Sequence, residues 1–118
     1  MNGARVSGAA SQAKLWYWQR LSAMVLAVCV VIHLLMIVYA SRGRLTAADI
    51  LARTRGSVPF AAFYSVFVIA CAVHVPIGLK AIAVEWLGWR DRNSAMAAVV
   101  IALALLSMGF RAVYAVIV

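Results

Sequence analysis

The sequence predicts an all-α integral membrane protein, with three transmembrane helices that form half of a larger multi-helix bundle. Three observations carry this. Hydrophobic residues make up 67% of the 118 residues and charged residues only 12%, against roughly a quarter charged in a soluble domain. Three runs reach the length of about 20 apolar residues that a helix needs to cross the hydrocarbon. Finally, three helices leave most of their faces in lipid, so any polar group buried on them needs a partner chain to cover it.

The elements follow in order. Residues 1–14 are rich in Gly, Ala and Ser and predict a flexible N-terminal segment ahead of a three-helix domain over 15–118. This segment does not read as a cleaved signal, because the apolar run after it is too long and has no clear small-x-small site. Trp16, Tyr17 and Trp18 form an aromatic belt where the chain enters the membrane. The first span is Leu21 to Ala40. The loop from Ser41 to Val58 contains LTAADILAR, which predicts a short interfacial helix with Thr46 as its cap. The second span, Pro59 to Val84, is interrupted only by His74 and Lys80, and Trp86 and Trp89 follow it at the interface. WRDRN is a tight polar turn that makes the second and third spans antiparallel neighbours. The third span, Ser94 to Val118, is interrupted by Arg111.

The net charge of +8 does not indicate nucleic acid, because the basic residues sit at helix ends rather than in one patch. Anionic lipid headgroups and a partner's surface account for them more simply. With the N-terminus cytoplasmic, Arg5, Lys14, Arg20, Lys80, Arg90 and Arg92 lie inside, and Arg42, Arg44, Arg53, Arg55 and Arg111 outside. That margin barely satisfies the positive-inside rule.

Two histidines, His33 and His74, lie deep in the first and second spans, and the chain has no others. An ionisable imidazole in hydrocarbon marks a functional site by default. At 100° per residue, Ser22, Leu26, Cys29 and His33 fall on one stripe, and Phe67, Cys71, His74, Gly78 and Glu85 on another. Each histidine thus has a polar residue 11 positions away on its own face, about 16 Å along the helix. Antiparallel packing predicts the two histidines at similar depth, and Ser22 and Glu85 together near one interface.

The upper level of such a site suits haem b, which takes neutral imidazoles as axial ligands in an apolar slot. Gly78, one turn from His74, clears a side chain where the macrocycle would pass. The lower level suits a quinone head, for which Arg20, Ser22, Glu85 and Trp86 offer donors, an acceptor and a flat aromatic. Two simpler readings compete: snorkelling for Arg20 and interface anchoring for Trp86. Cys29 and Cys71, each about one turn before a histidine, leave a Cys2His2 zinc site as a weaker alternative. A mid-membrane disulfide is not expected.

These motifs resemble a known family. QRLSAMVLAVCVVIH is similar to the first helix of the membrane-anchor (cytochrome b) subunits of succinate dehydrogenase and fumarate reductase, which carry an Arg-x-Ser/Thr start. HVPIGLKAIAVEW resembles their second helix: a haem histidine, a small and a basic residue, then an acid and an aromatic. The family's small anchors often end this pattern with Asp-Tyr, whereas this chain has Glu85-Trp86, an indole in place of the phenol. The resemblance spans residues 15 to about 118. It implies that His74 ligates haem, that Lys80 holds the basic position after it, and that Arg20 and Ser22 contact quinone. In two-haem anchors of this family a first-helix histidine ligates the haem farther from the iron–sulfur subunit. His33 and His74 then serve different haems, each completed by another chain; the simpler arrangement has both clamp one haem. Ser107, Arg111 and Tyr114 share a face of the third span, which places Arg111 to pair with a distal haem's carboxylate or to snorkel outward.

The expected function is an electron-transfer anchor in a bacterial inner membrane. It holds a flavoprotein and an iron–sulfur subunit, beside a second membrane-anchor chain, and links them to the quinone pool of the respiratory chain. Succinate or fumarate chemistry (the tricarboxylic acid cycle reaction) belongs to the flavoprotein, so this chain carries none of its catalytic residues. The alternatives are a haem b or quinone module of another dehydrogenase, or a cofactor-free small transporter or scaffold.

Overall fold

The computed structural model describes residues 2–118, with side chains from Gly8 onward. Met1 and the Arg5 side chain, counted above among the charges, lie outside the described residues. Four helices make up the fold: α1 (Asn2–Arg42), α2 (Ala47–Thr54), α3 (Val58–Glu85) and α4 (Asp91–Ile117). α1, α3 and α4 are each long and apolar enough to cross a membrane, and no strand occurs among the described residues.

α1 begins at Asn2 rather than near residue 15. The opening segment, read as separate on composition, continues straight into the first span. It contains no proline and is rich in alanine, the best helix former. At 41 residues and about 1.5 Å per residue, α1 alone accounts for the longest dimension of the molecule, 61 Å. It stops where Arg44 takes a left-handed φ of 51°. There the Leu45 N–H donates to the Ala40 carbonyl at 3.0 Å and the Arg44 N–H to the Ser41 carbonyl at 3.2 Å. This is the Schellman pairing, with arginine where glycine is usual.

α2 starts as the sequence predicts, at Thr46, and with a full capping box. The Thr46 hydroxyl accepts from the Asp49 N–H (3.2 Å), and the Asp49 carboxylate accepts from the Thr46 N–H (2.8 Å). The far end of α2 is tied to the end of α4. The buried Thr54 hydroxyl donates to the Val116 carbonyl at 2.6 Å, and the Gly56 N–H donates to the Ile117 carbonyl at 2.8 Å.

α3 is the central helix, packed against α4 on one side and α1 on the other. The turn before α4 uses Gly88 at φ 65°, and Lys80 pairs with Asp91 across it at 3.3 Å. Near the other end Gly109 allows close approach of α4, since a Cβ there would lie 2.5 Å from Val68 Cγ1. The WRDRN turn therefore makes α3 and α4 antiparallel neighbours, as expected. The α3–α4 turn and the start of α1 share one end of the bundle, the turn end. α2 marks the other, the α2 end.

Candidate functional site: two histidine levels between α1 and α3

The facing stripes read from the sequence do meet. On α1, Ser22 and Cys29 are buried and His33 is half-buried. On α3, His74 and Gly78 are half-buried and face the same helix. Small side chains at Ser22, Cys29 and Ala70 let the helices approach closely, the usual device of membrane packing.

The stripes are in a different register from the one expected. Ser22 Oγ lies 3.5 Å from His74 Nδ1, and His33 Nδ1 lies 3.4 Å from Tyr64 Oη. Ser22 and His33 are 11 residues apart on α1, and His74 and Tyr64 are 10 apart on α3. The two histidines therefore sit on separate levels, about 16 Å apart along the helices, and not at matched depth. They cannot both be axial ligands of one iron within this chain. They also cannot converge with Cys29 and Cys71 on a zinc ion; among the described residues no three such groups come together.

The same register separates Ser22 from Glu85. Glu85 is 11 residues from His74, again about 16 Å toward the turn end, and it is exposed. Trp86 is 83% exposed. The grouping of Arg20, Ser22, Glu85 and Trp86 around one quinone head is thus not formed. Distance from the ends of the apolar runs misled here. α1 extends well past its apolar run, so Ser22 is an interior residue of the helix. Arg20 is exposed and stacks on Trp16, 5.0 Å from the ring centre. Lys80 turns toward Asp91 of α4.

Each level contains a hydroxyl with two neighbours. Ser22 Oγ donates to the Gln19 carbonyl at 3.1 Å, and Tyr64 Oη donates to Met36 Sδ at 3.9 Å. Each hydroxyl also lies at hydrogen-bond distance from Nδ1 of the facing imidazole, and the direction of that bond follows the ring's tautomer. Among the described residues neither Nε2 makes a hydrogen bond. A hydroxyl at one ring nitrogen with the other nitrogen free is the kind of outer-shell support that a metal-ligating histidine uses. The surroundings are apolar. His33 meets Tyr64 and Phe67 edge-on, with ring centres 5.8 and 5.7 Å away. Beside Ser22 a cavity of about 210 Å³ is walled by Leu21, Val25, Ile69, Ala70 and Val73. His33 opens on a cavity of about 270 Å³, whereas His74 does not line the cavity beside Ser22; imidazoles among apolar walls are the residue chemistry that would hold haem.

Three residues were missed by the sequence reading. Gln19 lies one turn before Ser22, and its buried Oε1 has no hydrogen-bond partner. Its amide nitrogen lies 3.3 Å from where a Gly78 Cβ would be, so the space Gly78 clears is taken by Gln19 rather than by a macrocycle. The stripe containing Ser22 and His33 passes through Gln19, so periodicity could have found it. Tyr64 lies on the α3 stripe with Phe67 and Cys71 and was equally legible. Arg53 belongs to α2 and lines the same cavity as His33; no helical period links the two.

Three helices long and apolar enough to cross a membrane place the chain in the class of integral membrane subunits. Residues 4–110 match the family model for the succinate dehydrogenase/fumarate reductase transmembrane subunit, and the chain belongs to that family. No curated protein and no solved structure matches it.

Proposed function

We propose that this chain binds haem b and quinone and passes electrons between an iron–sulfur subunit and the quinone pool. The succinate or fumarate chemistry lies on an associated flavoprotein. The observation that supports this most is the Ser22–His74 pair, which engages Nδ1 and leaves Nε2 without a hydrogen-bond partner among the described residues. His74 would hold one haem. His33, steadied by Tyr64, would hold a second at the α2 end. Haem, when bound, supplies a one-electron redox centre. The chain positions the imidazoles through Ser22 and Tyr64. A second membrane-anchor chain, a copy or a three-helix relative, covers the open faces and completes each ligand set.

Near the turn end, Gln19, Arg20 and Ser22 supply an acceptor, a cation and a hydroxyl within one turn for a quinone head. Glu85, about 16 Å along α3 from His74, and the exposed Trp86 stand outside this group. Lys80 is engaged by Asp91 of α4, away from the α1-facing side of His74. The turn end and the N-terminus face the cytoplasm of a bacterial inner membrane, where the iron–sulfur subunit docks.

The test is to purify the intact complex from membranes, identify its subunits by mass spectrometry, and record reduced-minus-oxidised spectra. Flavoprotein and iron–sulfur partners and a b-type spectrum are expected, and His74→Ala should remove at least one haem per complex. Unchanged haem content in His74→Ala would defeat the ligand assignment, and absence of those partners would defeat the anchor reading.

A further inference from the structure

We infer that the interfacial helix α2 supplies Arg53 as the cation for a carboxylate of the haem held at His33. This rests on the reading of His33 as a haem ligand proposed above.

One cavity of about 270 Å³ joins α1, α2 and α3, and its lining changes in character with depth. At the inner end are His33 and Tyr64. The middle is apolar, with Met36, Ile37 and Phe60 among its walls. Ala40 is seven residues beyond His33, about 10 Å along α1. At that height the wall becomes Tyr39 and Arg53. An open imidazole below, apolar walls between and a guanidinium at the mouth match a flat apolar ring whose acid groups point to water.

Arg53 is held in place yet uncommitted. It lies over the Tyr39 ring, 5.7 Å from its centre, and its Nη1 donates to Tyr39 Oη at 3.2 Å. That uses one of five N–H donors, and the planar fork that remains suits a carboxylate. The acid on its own helix, Asp49, feels the Arg53 charge but makes no ion pair with it, because its carboxylate turns to the Thr46 cap. The Thr46 cap and the Thr54–Val116 hydrogen bond anchor α2 at both ends. Arg111, the cation the sequence suggested, lines a separate surface cavity made only of α4 residues, with Ser107, Phe110 and Tyr114.

The experiment compares His33→Ala, Arg53→Leu, Arg53→Lys and Arg111→Leu in the intact purified complex. It measures haem content, the midpoint potential of each haem, and the rate of haem loss to an apo-globin acceptor. His33→Ala should lack one haem. Arg53→Leu should keep that haem at a lowered potential, because a nearby cation favours the electron-rich form. It should also release the haem at least about tenfold faster, the scale of one lost hydrogen bond to a charged group. Arg53→Lys should stay near wild type, and Arg111→Leu should match wild type in both readings. Hydrogen exchange of the α2 amides checks that the helix stays docked in each Arg53 variant. If His33→Ala loses a haem but Arg53→Leu changes neither potential nor release, Arg53 is not the partner and this inference alone falls. If Arg53→Leu instead strips a co-purifying anionic phospholipid and leaves the haems untouched, Arg53 serves a lipid headgroup and the inference is again overturned. Full haem content in His33→Ala overturns both this inference and the reading beneath it.

Discussion

A neutral imidazole in hydrocarbon has two nitrogens to satisfy, and each histidine here has a hydroxyl facing only one. Ser22 and Tyr64 do the same job from opposite helices: each places a hydroxyl at hydrogen-bond distance from Nδ1. Loss of such outer-shell support typically costs about 10–100-fold in metal affinity. Ser22→Ala should therefore weaken haem retention at the His74 level by that order while leaving the His33 haem intact, read by haem titration of the purified complex. Equal retention in wild type and variant would show that Ser22 is only a packing residue.

Among the elements, α2 is the most exposed and depends most on its cap. The Asp49 carboxyl is held below its usual 3.8, first by the Thr46 backbone N–H and then by the Thr46 hydroxyl. A depressed native pKa stabilises the fold above the unfolded value and is lost as pH falls through the native one. Amide exchange in α2 should accordingly speed up as pH drops below 3.8, after correction for intrinsic rates, and Asp49→Asn should remove that dependence. A flat profile in the wild type would mean that the Thr54–Val116 tie, not the cap, holds α2. Between α3 and α4 the critical element is the contact at Gly109. Gly109→Ala would set a Cβ 2.5 Å from Val68 Cγ1, an overpacking worth about 1–3 kcal/mol. Thermal unfolding in detergent should show the loss, and Val68→Ala should restore most of it. Failure of that rescue would place the strain elsewhere.

For the whole molecule, three helices in a row with α3 in the middle leave α1 and α4 with long apolar faces, from Leu34 and Leu35 to Val99 and Leu103. Lipid can cover such faces, but it cannot complete the coordination of a metal ligand. Native mass spectrometry of the complex should find at least one further membrane subunit per copy of this chain. A complex with this chain as its single membrane component would refute the shared-bundle reading.

The fold class was legible in the residues alone. Membrane-length apolar runs, the Thr46 cap and the WRDRN turn act locally, and local signals suffice where the solvent is hydrocarbon and every backbone group must be satisfied within its own helix. The residues also showed which faces meet, because a 3.6-residue period survives into any packing. What they did not contain was register. How far α1 slides along α3 depends on which small residues nest against which side chains across the interface, here Gly78 under Gln19 and Ser22 against His74. That one tertiary choice put the histidines on two levels instead of one, moved Glu85 and Trp86 away from Ser22, and brought Arg53 of α2 over the His33 cavity.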